Sequence, residues 1–491
     1  MQWMQLTESS GEAMARVFTG LLLTLVLAVL LVPLAFYAGP PVLAALRSEQ
    51  PPRQVVVPSY QQAPSHLASR GDEFPVPAGA GSEAPDPQTL KELLDAELTV
   101  PGSGTFHGAV LDALTGEVLY DLDGGTAVTP ASSLKILTAA AALSDLGADT
   151  RFETAVYAGS APDTIVLHGG GDVLLTAGMS DEEEVAGRAG LQTLAEETAA
   201  ALAERGTDGT VRVRLDDTLF TGDTLSPAWS TEDVQAGEMA PLYPLAINSA
   251  WAAEGVSSGL RTDDAALAAA EVFAAALETS AAGYGLAVDP AIERGSAGDG
   301  ARQLAAVESA PVSEQVQHML LTSDNYLAEA LARMSALATG REATFEEGTE
   351  AVEAAVSRLG VDTSALVLAD VSGLGGGTEI SALQLAGTVQ AALTSTENDV
   401  RALPYSLPVA GLSGTLASRF SGGGPENSPA GVVRGKTGTL FAVTSLSGFV
   451  TDADGRLLSF AFVANGLEAN TAQARAAVDS AATVLAGCGC R

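Results

Sequence analysis

Apolar and polar positions change period several times along this chain, and each change marks an element. Val17 to Tyr37 is a run of 21 residues without a charge. At about 1.5 Å per residue a helix of that length crosses a hydrocarbon core roughly 30 Å thick. It predicts an uncleaved membrane anchor, because Ala35-Phe36-Tyr37-Ala38 makes a poor leader cleavage site. Gln50 to Gln88 carries eight prolines and few large apolar residues, the pattern of a disordered tether. Helical spacing begins at Leu90–Leu98. Alternation over Gly108–Asp112 and Glu117–Tyr120 predicts a β-hairpin. Ser132 to Leu146 is apolar on nearly every side and predicts a buried helix.

The C-terminal end mirrors this opening. Gly431–Thr439, Val443–Val450 and Leu457–Ala464 read as three strands, and Thr471–Leu485 as a closing helix. Strands from both ends can share one sheet when a middle segment is inserted between them. That middle has its own strands, Ile165–His168 and Val211–Leu215, and its own helix, Asp263–Leu277. The expected organisation is a cytoplasmic N-terminus at 1–16, an anchor at 17–37, a tether at 38–88, a catalytic domain formed by 89–150 and 298–491, and an inserted domain at 151–297. The expected fold class is α+β, with an antiparallel sheet covered by helices.

Charge narrows the partners. There are 60 Asp+Glu against 24 Lys+Arg, a net −36, and such a surface repels nucleic-acid phosphates. His66, His107, His168 and His318 lie far apart without metal-ligand spacing, so neither a metal nor any other cofactor is expected and a histidine triad is disfavoured. Cys488 and Cys490 read as a dispensable C-terminal pair, or as a local disulfide or the site of a tail modification.

Three short motifs carry the chemistry. Ser132-Ser-Leu-Lys135 puts a serine and a lysine three apart, on one face of a helix. A serine hydroxyl needs a base beside it, and a lysine serves only when neutral. A helix N-terminus and a second cation, Lys436, would both depress its pKa. Ser323-Asp-Asn325 lies between two helical segments, where Ser323 can relay a proton and Asn325 can hold the substrate backbone and Lys135. Lys436-Thr437-Gly438-Thr439 sits on a predicted strand. Alternation puts Lys436 and Gly438 on one face and the threonines on the other. A cation and two hydroxyls suit a substrate carboxylate, and Gly438 permits close backbone approach. Taken singly, each motif also reads as ordinary capping, a solvated lysine or a protected sheet edge. Their order and joint presence favour an acyl-transfer site.

On these motifs the chain resembles the class C low-molecular-mass penicillin-binding proteins, the D-alanyl-D-alanine carboxypeptidase/endopeptidase family. The separation of 191 positions from Ser132 to Ser323 fits that class, whereas class A β-lactamases place the second motif much closer to the first. Leu167-His-Gly-Gly-Gly-Asp172, Tyr243-Pro-Leu-Ala-Ile-Asn248, Asp370-Val-Ser-Gly-Leu374 and Leu407–Leu416 extend the resemblance. Gly375-Gly-Gly377 departs from the Ser-Arg-like pair usual after Leu374. The resemblance implies a penicillin-recognising, transpeptidase-like fold with an inserted domain. It implies Ser132 as the acylated nucleophile and Lys135 as its base, with Ser323 and Asn325 as the proton relay. Lys436, Thr437 and Thr439 would grip the carboxylate, and the Ser132 and Thr439 N–H groups would form the oxyanion hole. Peptidoglycan stem peptides and β-lactams are the implied partners, at the extracytoplasmic face of a bacterial membrane. A β-lactamase and a catalytically silent wall-binding protein are the alternatives.

Overall fold

The computed structural model describes residues 82–490 apart from 101, 254, 257, 299 and 421–428. The expected N-terminus and anchor, and the tether up to residue 81, lie outside the described residues. Pro87 and Gln88, expected at the end of the tether, are helical. Asp86 accepts from the Thr89 backbone N–H and caps the helix Pro87–Glu97, with proline in its first turn, where a missing N–H costs nothing.

Strands β1 (Thr105–Asp112) and β2 (Val118–Leu122) form the expected hairpin. A short β3 (Ala127–Val128) leads into a 3₁₀ turn, Ala131–Leu134, and the helix Lys135–Leu146. The insertion holds β4 (Glu153–Ala158), β5 (Thr164–Gly169), β6 (Thr210–Asp216) and β7 (Ala287–Arg294). Strand β8 (Gln303–Glu308) pairs with β4, so this sheet runs past residue 297, the boundary expected from sequence. Its order is β7-β6-β5-β4-β8, with β5, β6 and β7 mutually parallel. The helices Leu191–Glu204 and Ala265–Ala281 make the crossovers and share its core. Among the described residues, Ala265–Tyr284 alone is long and apolar enough to span a membrane. Ala266, Ala270, Phe273 and Leu277 of that segment are buried in the insertion's core.

The chain then returns through the helices Val312–Thr322, Asn325–Ala338 and Phe345–Arg358. Strand β9 (Ile380–Ser381) pairs with β3. Strands β10 (Arg434–Leu440), β11 (Val443–Thr451) and β12 (Leu457–Asn465) complete an antiparallel sheet of order β10-β11-β12-β1-β2. Two-residue alternation divides this sheet between two cores. Phe460, Phe462 and Ala464 pack under the terminal helices Pro87–Glu97 and Thr471–Gly487, while Ala461 and Val463 face the helical body. Cys488 and Cys490 form a local disulfide.

Candidate active site

The three motifs meet at one cleft, between the free end of β10, the serine turn and the joint between two helices. Ser132 lies in the 3₁₀ turn and Lys135 opens the α-helix behind it. A 3₁₀ turn has three residues per turn and eclipses positions i and i+3. Lys135 Nζ accordingly lies 3.1 Å from Ser132 Oγ. The turn is pinned to the sheet from below: Ser133 Oγ meets Ser445 Oγ at 2.8 Å, and Ser445 donates to the Pro130 carbonyl at 2.7 Å. Ala131 is held in the left-handed region at φ 51°.

Lys135 is fully buried. Its Nζ also donates to Asn325 Oδ1 and to the Ser372 carbonyl, both at 2.6 Å. Asn325 Nδ2 donates to the Glu238 carbonyl at 3.0 Å, which fixes the direction of the amide. Burial lowers the Lys135 pKa to about 8, while Asp370, Asp324, Glu329 and Glu238 pull it back upward. The expected cause was a helix N-terminus and Lys436; removal from water proves the larger effect. The like-charge repulsion instead falls on Lys436, which burial first and Lys135 second push well below the ordinary lysine range.

Lys436 Nζ donates to Ser323 Oγ (2.9 Å) and to the Thr437 carbonyl (2.8 Å), and none of its side chain is exposed. It thus reaches the cleft through Ser323 rather than as an open ammonium. Ser323 is held at φ 61°, in the left-handed region between the two helices. On the opposite face of β10, Thr437 Oγ1 donates to Thr415 Oγ1 (2.8 Å), and Thr439 is exposed. A Cβ on Gly438 would lie 2.2 Å from Ser445 Oγ and 2.6 Å from the Pro130 carbonyl oxygen, so only glycine lets β10 pass behind the serine turn.

Several supporting residues lie outside the three short motifs, though Asp370 falls in a segment that carries the resemblance. Buried Asp370 accepts from Trp229 Nε1, Ser372 Oγ and the backbone N–H groups of Gly373, Leu374 and Gly375. Glu329 accepts from the Val371 and Ser372 N–H groups, and burial raises its pKa to about 8. Together they fold the 370–375 loop so that the Ser372 carbonyl faces Lys135. Glu329 lies four residues after Asn325 on one helix, a spacing that places both on one face. Of the unusual glycines, Gly375 has a packing reason: a Cβ there would lie 2.8 Å from Ala228 Cβ and 3.0 Å from its carbonyl oxygen. The cleft continues into the insertion as a cavity of about 230 Å³, lined by Glu238, Trp251, Arg261, His318, Ser323 and Asn325.

A half-buried serine, a buried lysine with depressed pKa and a lysine-bearing edge strand, on an α+β frame, define a penicillin-recognising serine hydrolase. The sequence pattern of the D-Ala-D-Ala carboxypeptidase 3 (S13) family matches residues 90–254 and 248–486. The chain belongs to this family and is a serine-type D-alanyl-D-alanine carboxypeptidase. It is 35% identical to the carboxypeptidase DacB of Mycolicibacterium smegmatis over 87% of this chain and 90% of that protein. It is 32% identical to the D-alanyl-D-alanine carboxypeptidase of an Actinomadura species, over 77% of this chain and 81% of that one. The fold matches the crystal structure of penicillin binding protein 4 (dacB) from Haemophilus influenzae, with a TM-score of 0.64 and 20% identity, covering 80% of this chain and 97% of that chain.

Proposed function

We propose that the chain removes the terminal D-alanine of peptidoglycan stem peptides through an acyl-enzyme on Ser132, and that β-lactams trap the same serine. The observation that carries this reading is the environment of Lys135. A neutral amine has two N–H groups and one lone pair. Asn325 Oδ1 and the Ser372 carbonyl can only accept, so they take the two N–H groups. The lone pair then faces Ser132 Oγ and can remove its proton as the oxygen attacks the D-Ala-D-Ala carbonyl.

The developing oxyanion is placed between the backbone N–H groups of Ser132 and Thr439. The proton passes from Lys135 toward Ser323 and the departing D-alanine nitrogen, which breaks the peptide bond and leaves the acyl-enzyme. Water then attacks the ester and regenerates Ser132. The substrate's terminal carboxylate lies by Thr437 and Thr439, with Lys436 supporting from beneath through Ser323. The free end of β10 pairs with the peptide; its other end is already bridged by Val409. Cleavage of cross-links between stem peptides is the same reaction on a longer leaving group, and belongs to this proposal.

We also infer that residues 17–37 anchor the chain in the bacterial membrane with the folded part outside. The Cys488–Cys490 disulfide supports an oxidising compartment. The test of function is D-alanine release from a pentapeptide ending in D-Ala-D-Ala, with the Ser132→Ala variant as control. Stoichiometric release by wild type alone supports the reading. Equal release by both proteins refutes it.

A further inference from the structure

Arg261 comes from the insertion, and no sequence motif points to it. Its side chain is only 4% exposed. The guanidinium lies 3.8 Å from the Trp251 ring centroid and 5.7 Å from that of Tyr326. Nε donates to the Gly237 carbonyl (2.8 Å), Nη1 donates to the Ser249 carbonyl, and Nη2 stands 3.8 Å from Asp324 Oδ1. Each partner bears on the catalytic turn. Gly237 precedes Glu238, whose carbonyl holds the Asn325 amide. Ser249 Oγ donates to Asp324 Oδ2, and Asp324 caps the helix that begins with Asn325.

The backbone adds an independent observation. Asn248, Ser249 and Ala250 stand in succession at φ 45°, 51° and 64°. Non-glycine residues enter this left-handed region at a cost, and a run of them persists only where contacts over-determine it. Here the Asn248 and Ser249 N–H groups donate to Leu175 and Val173 carbonyls, and Arg261 takes the Ser249 carbonyl.

We propose that Arg261 is a positioning residue for the reaction: a cation from the insertion that locks the 237–250 segment onto the Ser323-Asp324-Asn325 turn and thereby aims Asn325 at Lys135. The aim matters because an amide has two chemically opposite ends. With Nδ2 held on the Glu238 carbonyl, Oδ1 faces Lys135. Reversed, the amide would present N–H groups to the Lys135 lone pair and compete with Ser132 for it. The charge matters as well. Asp324 is one of four acidic groups that pull the Lys135 pKa upward, with Asp370, Glu329 and Glu238. Arg261 compensates the nearest turn residue, Asp324.

The test measures the acylation rate by a fluorescent penicillin against pH, with melting temperature alongside, in the full-length protein and its Arg261→Gln, Arg261→Lys and Ser249→Ala variants. Arg261→Gln should acylate at least about tenfold more slowly, and its rising limb should move to higher pH, because uncompensated Asp324 draws a proton to Lys135. Arg261→Lys should keep the wild-type limb and recover part of the rate. Ser249→Ala should slow acylation about threefold with an unmoved limb. A folded Arg261→Gln with wild-type rate and limb overturns the proposal. So does an equal loss in both arginine variants, with a lowered melting temperature and an unmoved limb. Should neither arginine variant fold, Ser249→Ala decides, and a wild-type rate there refutes it. The inference rests on Lys135 as the base. Failure of that reading shows instead as a wild-type acylation rate unaffected by Lys135→Met.

Discussion

Lys135 reaches Ser132 from inside the protein: its Nζ lies 3.1 Å from the serine Oγ, and no part of the lysine is open to solvent. Burial therefore activates the nucleophile, by favouring the uncharged amine. The acidic groups around it keep the pKa near 8 rather than lower.

A pH profile follows. The base is the deprotonated amine, so penicillin acylation should rise about tenfold per pH unit below pH 8 and level off above it. Lys135→Met should lower the rate by about 10²–10⁴-fold and remove the limb. Stopped-flow labelling from pH 6 to 10 measures both. A flat wild-type profile contradicts the assignment.

Lys436, expected from sequence to grip the substrate carboxylate, is fully buried. Burial and Lys135 drive it toward the neutral form. An incoming carboxylate reverses that balance, so binding should take up a proton. Titration calorimetry of Ser132→Ala in buffers of different ionisation enthalpy should show uptake with a D-Ala-D-Ala peptide and none with its C-terminal amide. Lys436→Ala should reduce kcat/KM most for substrates with a free carboxylate. Equal losses on acid and amide substrates argue against this role.

Gly438→Ala tests the closeness of strand and serine turn. Its methyl would overlap Ser445 Oγ and the Pro130 carbonyl. A shift of about 1 Å in the serine turn should cost roughly 10²-fold in acylation. Unchanged labelling would show that the turn tolerates displacement.

Glu329 links the site to stability. Its folded pKa, about 8, lies above the ordinary 4.5, so the folded protein keeps a proton that the unfolded chain releases. Stability from this group is fully present below pH about 4.5 and is lost as pH rises through 8, by about 1.4 kcal/mol per unit. Glu329→Gln mimics the protonated acid and keeps an acceptor for Val371 and Ser372. Urea unfolding should show the variant gaining on wild type between pH 5 and 8. A difference independent of pH contradicts this.

The sequence made the reacting atoms legible because they sit in local patterns. Ser132 and Lys135 are three apart, and their strand and helix neighbours follow clear periodicities. What escaped it depends on distant segments. Asp370 and Glu329 support Lys135 only because two separate stretches fold against the same helix. Arg261 acts through backbone carbonyls, which no residue pattern reveals. Strand β8 reads Gln-Leu-Ala-Ala-Val-Glu, an apolar run without the alternation that would claim it for the second sheet. Gly375 reads as a departure in the sequence because its reason is a distant residue, Ala228, packed against it.

The central claim is that Ser132 takes the acyl group. Mass spectrometry of the intact protein after penicillin, followed by peptide mapping, tests it most directly. The account predicts one adduct per chain, on the peptide bearing Ser132, and none in Ser132→Ala. An adduct on Ser133 or Ser323, or undiminished labelling of the variant, would contradict it.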